Sequence, residues 1–197
     1  MEKRKLSICF TCVGSKNGEV EIEMCYDCVV GPEDWLASNE KLPNKVKALD
    51  LYTGPGWAQV LRTIKNLREK FDLSVYIFSA GLGIVHEDDL TNPYSATFSS
   101  GNEDRIEAVD QKDWVLGVTQ RRLPEGTVCV FPETYAKPYR RIWDDLDKML
   151  LIQGTPDDRE DLSCSMIRTS TTLMEKISET DIEPNEWPSI RGYDLWT

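Results

Sequence analysis

Apolar and polar positions along this chain alternate between two patterns, one typical of strands and one typical of helices. Short apolar runs, which predict buried strands, lie at residues 5–12, 73–79 and 127–131. Apolar positions at helical spacing predict helices over residues 57–71, 104–118, 138–151 and 165–178. Strands that alternate with helices predict a single Rossmann-like α/β domain, in which helices cover both faces of a central mixed, mostly parallel sheet.

One region interrupts this alternation. Apolar residues alternate with glutamates over residues 19–24, which predicts a half-exposed strand. We interpret residues 19–46 as a Cys-rich β-hairpin insertion. The α/β core then covers residues 6–151, and residues 157–197 supply a C-terminal helix and a tryptophan-containing tail.

The net charge of the chain argues against one class of function. Its 197 residues carry a net charge of −11, which argues against a protein that coats nucleic acid by neutralising phosphates. Five basic residues could line a local basic cleft or could belong to an ordinary solvated surface. They are Arg121, Arg122, Lys137, Arg140 and Arg141. No apolar run has transmembrane length, and residues 2–13 lack a signal-peptide cleavage site. We therefore expect a cytoplasmic protein, away from membranes, with mostly reduced cysteines.

Four cysteines form two Cys-x-x-Cys pairs, Cys9 with Cys12 and Cys25 with Cys28. Two such pairs joined by a hairpin can hold a structural zinc through four thiolates, so a zinc ribbon is one hypothesis. The competing interpretation places Cys9 and Cys12 in the first strand, where residues three apart point to opposite faces and cannot share a metal. Buried free cysteines are also common in protein cores.

Cys12 has a second candidate role, because it lies where the first strand gives way to Gly14, Ser15 and Lys16. The backbone amides of such a small-residue turn can hold an anion. A thiol beside a lysine and a turn dipole loses its proton more easily and can act as a nucleophile. His86, the only histidine, follows a neighbouring strand and could be the base or acid for Cys12; a packing or surface role is the alternative.

The strand over residues 73–79 ends in a turn that contains Gly81 and Gly83. Strand ends of this kind are where α/β proteins place ligand sites. Glycines there permit a positive φ or let a ligand approach the backbone closely. A tight turn with no chemical role is the alternative interpretation.

Three separated segments together resemble the YaaA-like domains of bacteria and phages. They are Cys12-Val13-Gly14-Ser15-Lys16, Leu51-Tyr52-Thr53-Gly54, and the stretch from Ser79 to His86 with Pro93-Tyr94 and Thr97-Phe98. Residues 131–135 and the helix after them also look like that family's last strand and helix. The resemblance covers residues 6–150.

This resemblance implies a compact α/β domain associated with nucleic acid. More distant relatives look like the catalytic domain of archaeosine synthase, which acts on the nitrile of a 7-deazaguanine base in RNA through a Cys-bearing motif. Related domains also occur beside genes for 7-deazaguanine modification of DNA. Cys12 is the position of this chain that matches such a cysteine.

We therefore expect an enzyme that acts on a nucleotide or a modified base, as a base-modifying transferase or hydrolase. Cys12 attacks the substrate, Lys16 and the turn amides hold negative charge, and His86 moves protons. The expected substrate-binding residues are Gly14, Ser15, Tyr52, Thr53, Ser79, Gly81, Gly83 and Tyr94.

Two further hypotheses stand beside this one. The first is a non-catalytic DNA-binding protein, linked to stress or defence, in which the five basic residues contact phosphates. The second is a module whose zinc ribbon holds a protein partner.

Overall fold

A computed structural model describes residues 2–99, 101–119, 121–153 and 169–190. Its seven described strands are β1 (Arg4–Thr11), β2 (Val46–Lys47), β3 (Phe71–Ser79), β4 (Gly83–His86), β5 (Leu90–Thr91), β6 (Val128–Val130) and β7 (Leu150–Ile152). Five of them form the central sheet in the order β4-β3-β1-β6-β7, and β2 pairs with β5 separately. In the central sheet β1, β3, β6 and β7 are parallel, and β4 is antiparallel at one edge. The predicted mixed, mostly parallel α/β sheet is confirmed.

Six α-helices accompany the sheet in the described part of the chain. They are α1 (Pro32–Lys41), α2 (Ala48–Leu51), α3 (Pro55–Lys70), α4 (Gln111–Val118), α5 (Glu133–Ile142) and α6 (Ser170–Ser178). Helix α3 packs with α6, whereas α4 packs with both α1 and α5. None of the helices in the described ranges is long and apolar enough to cross a membrane.

Burial explains why β1 occupies the centre of the sheet. Three consecutive residues of β1, Ile8, Cys9 and Phe10, are almost completely buried. Because successive side chains of a strand point to opposite faces, both faces of β1 must be covered. Full burial of each large apolar side chain contributes about 1.5–3 kcal/mol to stability.

In helix α3, the apolar residues at helical spacing form the face that is buried. The helix begins at Pro55, whose fixed φ suits the first turn, and it ends with two basic residues in its last turn. Its buried apolar stripe consists of Trp57, Val60, Ile64 and Leu67. The prediction of a helix over residues 57–71 is therefore correct to within a few residues.

Three sequence predictions need correction. Residues 19–24 form no strand and no hairpin: Ile22–Met24 and Tyr26–Cys28 are 3-10 turns, and α1 follows them. The helix expected over 104–118 begins only at Gln111. The helix expected over 138–151 runs instead from Glu133 to Ile142, with Pro138 inside it, and Leu150–Ile152 is β7. Pairing of β7 with β6 overrides the helical spacing of its apolar residues.

Part of the C-terminal prediction lies outside the described residues. The helix expected over 165–178 is described from Ser170, after an N-cap in which the Thr169 side chain accepts a hydrogen bond from the Thr172 N–H. Within the tail, Trp187 is almost fully buried and its ring meets Phe71 edge-on. Residues 154–168 and 191–197 are outside the described ranges.

Glycines close the turn between β3 and β4 for reasons of packing. Gly83 has a φ of 68°, and a Cβ there would lie 2.2 Å from Thr119 Cγ2. A Cβ on Gly81 would lie 2.6 Å from the Tyr94 ring and 2.9 Å from Trp35. The close approach at this turn is therefore made by the protein's own side chains.

Side chains also cover part of the β4 edge. The Thr119 hydroxyl donates a hydrogen bond to the Ile84 carbonyl at 3.3 Å. The Asp89 carboxylate accepts one from the His86 N–H at 2.7 Å. Two peptide groups of the edge strand are thereby paired without a neighbouring strand.

Replacing Gly81 by Ala tests the packing role of this turn. Gly81→Ala should lower the free energy of unfolding by about 1–3 kcal/mol, because the added methyl overlaps two buried aromatic rings. Urea unfolding followed by tryptophan fluorescence measures the change. Gly14→Ala is the matched control, since no atom lies within 4 Å of a Cβ at Gly14. Equal stability of the two variants would contradict this account.

Candidate active site

The central feature of the candidate site is the gap between the ends of β1 and β6. The chain crosses from β1 to β3 on one side and from β6 to β7 on the other, so the connections diverge at this point. Ligand sites of open α/β sheets lie at such divergence points, beyond the carboxyl ends of the strands. Cys12 follows β1 directly, and its N–H donates to the Phe78 carbonyl at 3.0 Å. Tyr135 lies in the first turn of α5, directly after β6.

Cys12 and Tyr135 meet across this gap. The Cys12 Sγ and the Tyr135 hydroxyl form a hydrogen bond at 2.9 Å, in which either atom can donate. Burial, followed by the nearby Cys12, raises the pKa of Tyr135 well above its ordinary value. The phenol therefore keeps its proton near neutral pH and can donate it to a Cys12 thiolate.

Lys16 supplies positive charge beside this pair. Its ammonium lies 4.3 Å from the centroid of the Tyr94 ring and donates to the Gly14 carbonyl at 3.3 Å. Burial lowers the pKa of Lys16, and attraction to Cys12 and Asp104 opposes part of that shift. Lys16 therefore gives up its proton more readily than an exposed lysine does.

A cavity of about 610 Å³ opens in front of Cys12, Lys16 and Tyr135. A polar wall of this cavity, called the 95–104 wall, comes from residues 95–97, 99 and 101–104, including Ser95, Thr97, Asn102 and Asp104. The Ser95 hydroxyl donates to the Asp104 carboxylate. Lys16 is the one cation among the described residues that line the cavity.

No role follows from the sequence alone for Tyr135 or for the 95–104 wall. Tyr135 follows a predicted buried strand, as Cys12 does. Because parallel strands end at one edge of a sheet, its position after that strand could have placed Tyr135 near Cys12. The described residues of the 95–104 wall form no helix and no strand longer than an isolated bridge, and among them only Thr97 belongs to a segment of the resemblance to YaaA-like domains.

Several expected substrate-binding residues lie beneath the cavity wall. The Tyr94 hydroxyl pairs with Ser79 Oγ at 2.6 Å and with the Tyr52 hydroxyl at 2.9 Å. All three side chains are buried, and so are Gly81 and Gly83. This chain of hydroxyl groups supports the ring on which Lys16 lies.

Of the remaining expected substrate-binding residues, Gly14 lines the cavity. Ser15 and Thr53 are joined by a backbone hydrogen bond of 3.0 Å at the protein surface. The roles of these residues in substrate binding stay predictions.

The structure does not bring His86 to Cys12. His86 pairs with Tyr76 on β4, and Tyr76 is in register with Cys9 on β1. His86 and Cys12 are therefore separated by two strand spacings and three residues, roughly 14 Å between Cα atoms. His86 contacts the Tyr76 ring and lies 3.8 Å from Asp88. Tyr135 occupies the position that we had expected His86 to take.

The four cysteines of the zinc hypothesis do not converge. Cys9 is buried in the sheet beside Cys129, whereas Cys12 faces Tyr135. Cys25 and Cys28 lie in a separate 3-10 turn. Within the described ranges, no group of three or more His, Cys, Asp or Glu side chains is placed to hold a metal ion. The strand geometry of β1 is what separates Cys9 from Cys12.

The five basic residues do not form an uncompensated cleft. Arg121 pairs with Asp89, with one contact at 3.2 Å, and Arg122 lies 3.6 Å from Asp145. Lys137 pairs with Glu133 at 3.5 Å within α5. Arg141 donates to the Gln111 side chain at 3.2 Å, and Arg140 is exposed. Neighbouring acids neutralise three of these five side chains.

The buried phenols should make the protein sensitive to alkali. Burial raises the pKa of Tyr52, Tyr94, Tyr135 and Tyr139 above the ordinary value of 10.0. Above that pH the unfolded chain loses phenolic protons that the folded protein keeps, so the free energy of unfolding falls as pH rises. Each phenol contributes up to about 1.4 kcal/mol per pH unit.

Unfolding by urea at pH 9 to 12, with tyrosinate absorbance at 295 nm, measures this effect. The absorbance of the buried phenols should rise only as the protein unfolds. Tyr52→Phe removes one phenol and should make the fall in stability less steep by about one proton. Ionisation of all tyrosines near pH 10 in the folded protein would contradict the prediction.

Comparison with known proteins identifies a family and no function. No curated protein matches the chain. No solved structure matches it either. A family model described as a family of unknown function (DUF6884) matches residues 37–143, which include Tyr135 and the 95–104 wall but not Cys12 or Lys16. These comparisons do not bear on the resemblance to YaaA-like domains, which stays a prediction. Because the match covers more than half of its length, the chain belongs to this family of unknown function (DUF6884).

Proposed function

We propose that this protein is a thiol-dependent enzyme that acts on a nucleotide or a modified base of the 7-deazaguanine type. The observation that carries the proposal is the hydrogen bond between the Cys12 thiol and the Tyr135 hydroxyl at the edge of a polar cavity. A nucleophilic thiol needs a proton acceptor and a group that stabilises its negative charge. Solvent in the open cavity can accept the proton, and Lys16 and Tyr135 stabilise the negative charge.

The cavity suits a small polar ligand. Its volume of about 610 Å³ lies in the range of sites that bind single small molecules. Lys16 can hold a phosphate or another developing negative charge. The Asp104 carboxylate and the Asn102 side chain can accept hydrogen bonds from the N–H groups of a base. A base within a nucleic-acid duplex would have to be flipped out to reach Cys12.

The chemistry follows from the positions of three side chains. Cys12 reacts as a thiolate after its thiol proton passes to solvent, Tyr135 donates a hydrogen bond to the sulfur, and the Lys16 ammonium stabilises its negative charge. With a nitrile substrate, the sulfur bonds to the nitrile carbon and one C–N π bond breaks. Its electron pair takes the proton from Lys16 at nitrogen, which gives a thioimidate. An amine donor or water then displaces the thiol and restores free Cys12.

The non-catalytic alternatives have weaker structural support. Binding of nucleic acid through Arg121, Arg122 and Lys137 would first require breaking their ion pairs with Asp89, Asp145 and Glu133. A zinc ribbon would require Cys9 to leave the centre of the sheet. A nucleic-acid partner therefore enters the proposal only as the carrier of the substrate base.

Incubation of the purified protein with 7-cyano-7-deazaguanine tests the proposal. The intact mass should increase by one molecule of the base, and the added mass should map to residues 6–16, which contain Cys12. Cys12→Ala should abolish the adduct. Tyr135→Phe should slow its formation by about 10²-fold or more, because the thiolate loses its hydrogen-bond donor.

Cys28→Ser is the matched control, because it removes an exposed cysteine that does not line the cavity. This variant should form the adduct at the rate of the unmodified protein. Absence of an adduct, or an adduct on Cys28, would refute the proposed nitrile chemistry. Circular dichroism of each variant verifies that the fold is retained.

A further inference from the structure

The chain contains the Cys-x-x-Cys spacing twice, and the two copies fold differently. Cys9 lies in β1 and Cys12 follows it, so extended chain separates their Cα atoms by about 10 Å. That distance exceeds the limit of about 7 Å for a disulfide. Cys25 and Cys28 instead flank one 3-10 turn, closed by a hydrogen bond of 3.0 Å from the Cys28 N–H to the Cys25 carbonyl. A four-residue turn closed in this way brings the Cα atoms of its first and last residues within about 7 Å, which a disulfide can bridge.

The two thiols of this turn differ in partners and in exposure. The Cys25 thiol donates a hydrogen bond to the Glu21 carbonyl at 3.8 Å. Cys28 is exposed, whereas Cys25 is half-buried. Burial, followed by Asp104 and Cys28, raises the pKa of Cys25. An oxidant from solution therefore meets Cys28 first.

The same turn is bonded to the polar wall of the cavity. The Tyr26 N–H donates to the Ser95 carbonyl at 2.8 Å, and the Ser95 N–H donates to the Met24 carbonyl at 2.8 Å. The Asp27 N–H donates to the Asp104 carboxylate at 3.5 Å. A change in the turn is therefore transmitted to Ser95 and Asp104, both of which line the cavity.

We infer that Cys25 and Cys28 form a reversible dithiol–disulfide couple, and that closing the disulfide changes the cavity wall beside Cys12. This inference goes beyond the proposed function and does not require Cys12 to attack a substrate. It depends on the turn geometry, on the different exposure of the two thiols, and on the hydrogen bonds that join the turn to Ser95 and Asp104.

A disulfide such as oxidised glutathione is the oxidant. The Cys28 thiolate attacks one of its sulfurs, a new S–S bond forms, and one glutathione thiolate leaves with the bonding electron pair. Cys25 then loses its proton and attacks the Cys28 sulfur, which releases the second glutathione. Two protein thiols are oxidised and one glutathione disulfide is reduced, and the two protons of the protein thiols pass to the two glutathione thiolates. Excess reduced glutathione reverses both steps.

Equilibration of the folded protein in glutathione buffers of different ratios tests the couple. After acid quenching, alkylation and trypsin digestion, Cys25 and Cys28 lie on one peptide, residues 17–41, and Cys9 and Cys12 lie on another, residues 6–16. The 17–41 peptide should lose both alkylation sites in oxidising buffers and regain them in reducing ones. The 6–16 peptide has the same Cys-x-x-Cys spacing in extended chain, and both of its cysteines should remain alkylated.

Variants separate a disulfide from simple thiol modification. Cys25→Ser should stop at a mixed disulfide between Cys28 and glutathione, whereas Cys28→Ser should react much more slowly. Two results would overturn the couple. One is a product of the unmodified protein that stops at the mixed disulfide on Cys28, and the other is a disulfide in the 6–16 peptide.

The effect on the cavity has its own measurement. The rate of Cys12 alkylation by iodoacetamide should differ by about threefold or more between the oxidised and reduced protein. The double variant Cys25→Ser/Cys28→Ser should show one rate in both buffers. Equal rates in the unmodified protein would overturn the transmission to the cavity. If 7-cyano-7-deazaguanine forms no adduct with Cys12, both measurements remain valid, so the two proposals can be refuted separately.

Discussion

The burial of β1 on both faces is the constraint on which the rest of the structure depends. Its neighbours are parallel strands, and Cys9 is in register with Tyr76 on one side and Cys129 on the other. A shift of one residue would turn every side chain of β1 to the opposite face of the sheet. The register therefore fixes where the chain leaves the sheet at Cys12. It also fixes Cys12 beside the first turn of α5, which is why a thiol and a phenol meet there.

The sequence predicted the parts of the fold that are determined by local burial. Apolar runs identified β1, β3 and β6, because strands buried on both faces need no alternation. The apolar run did not identify the strand at Leu150–Ile152, because its residues also fit the apolar stripe of a helix. Only pairing with β6 decides between strand and helix there. Residues 19–24 alternate between apolar and polar like a strand but have no strand to pair with. The alternation alone therefore predicted a strand that does not form.

The candidate site was predicted in part, and for a similar reason. Cys12 and Lys16 follow a strand, and strand ends of a parallel sheet meet at one edge. His86 is the last residue of a strand too, but this strand, β4, is antiparallel, so its carboxyl end lies away from that edge. The sequence does not reveal the direction of a short strand after a tight turn. Ser95, which donates a hydrogen bond to Asp104, lies in a segment without helix or extended strand. The position of such a segment depends on tertiary contacts, which the sequence pattern does not show.

The side-chain cover of β4 has a consequence for how copies of this protein behave at high concentration. A bare edge strand is a template on which another chain can add a strand, and long stacks of such additions become fibres. Here the Ile84 carbonyl is occupied by Thr119, and the His86 N–H by Asp89. An incoming strand would have to displace both side chains before it could bond to those peptide groups. These two hydrogen bonds therefore protect this edge against aggregation.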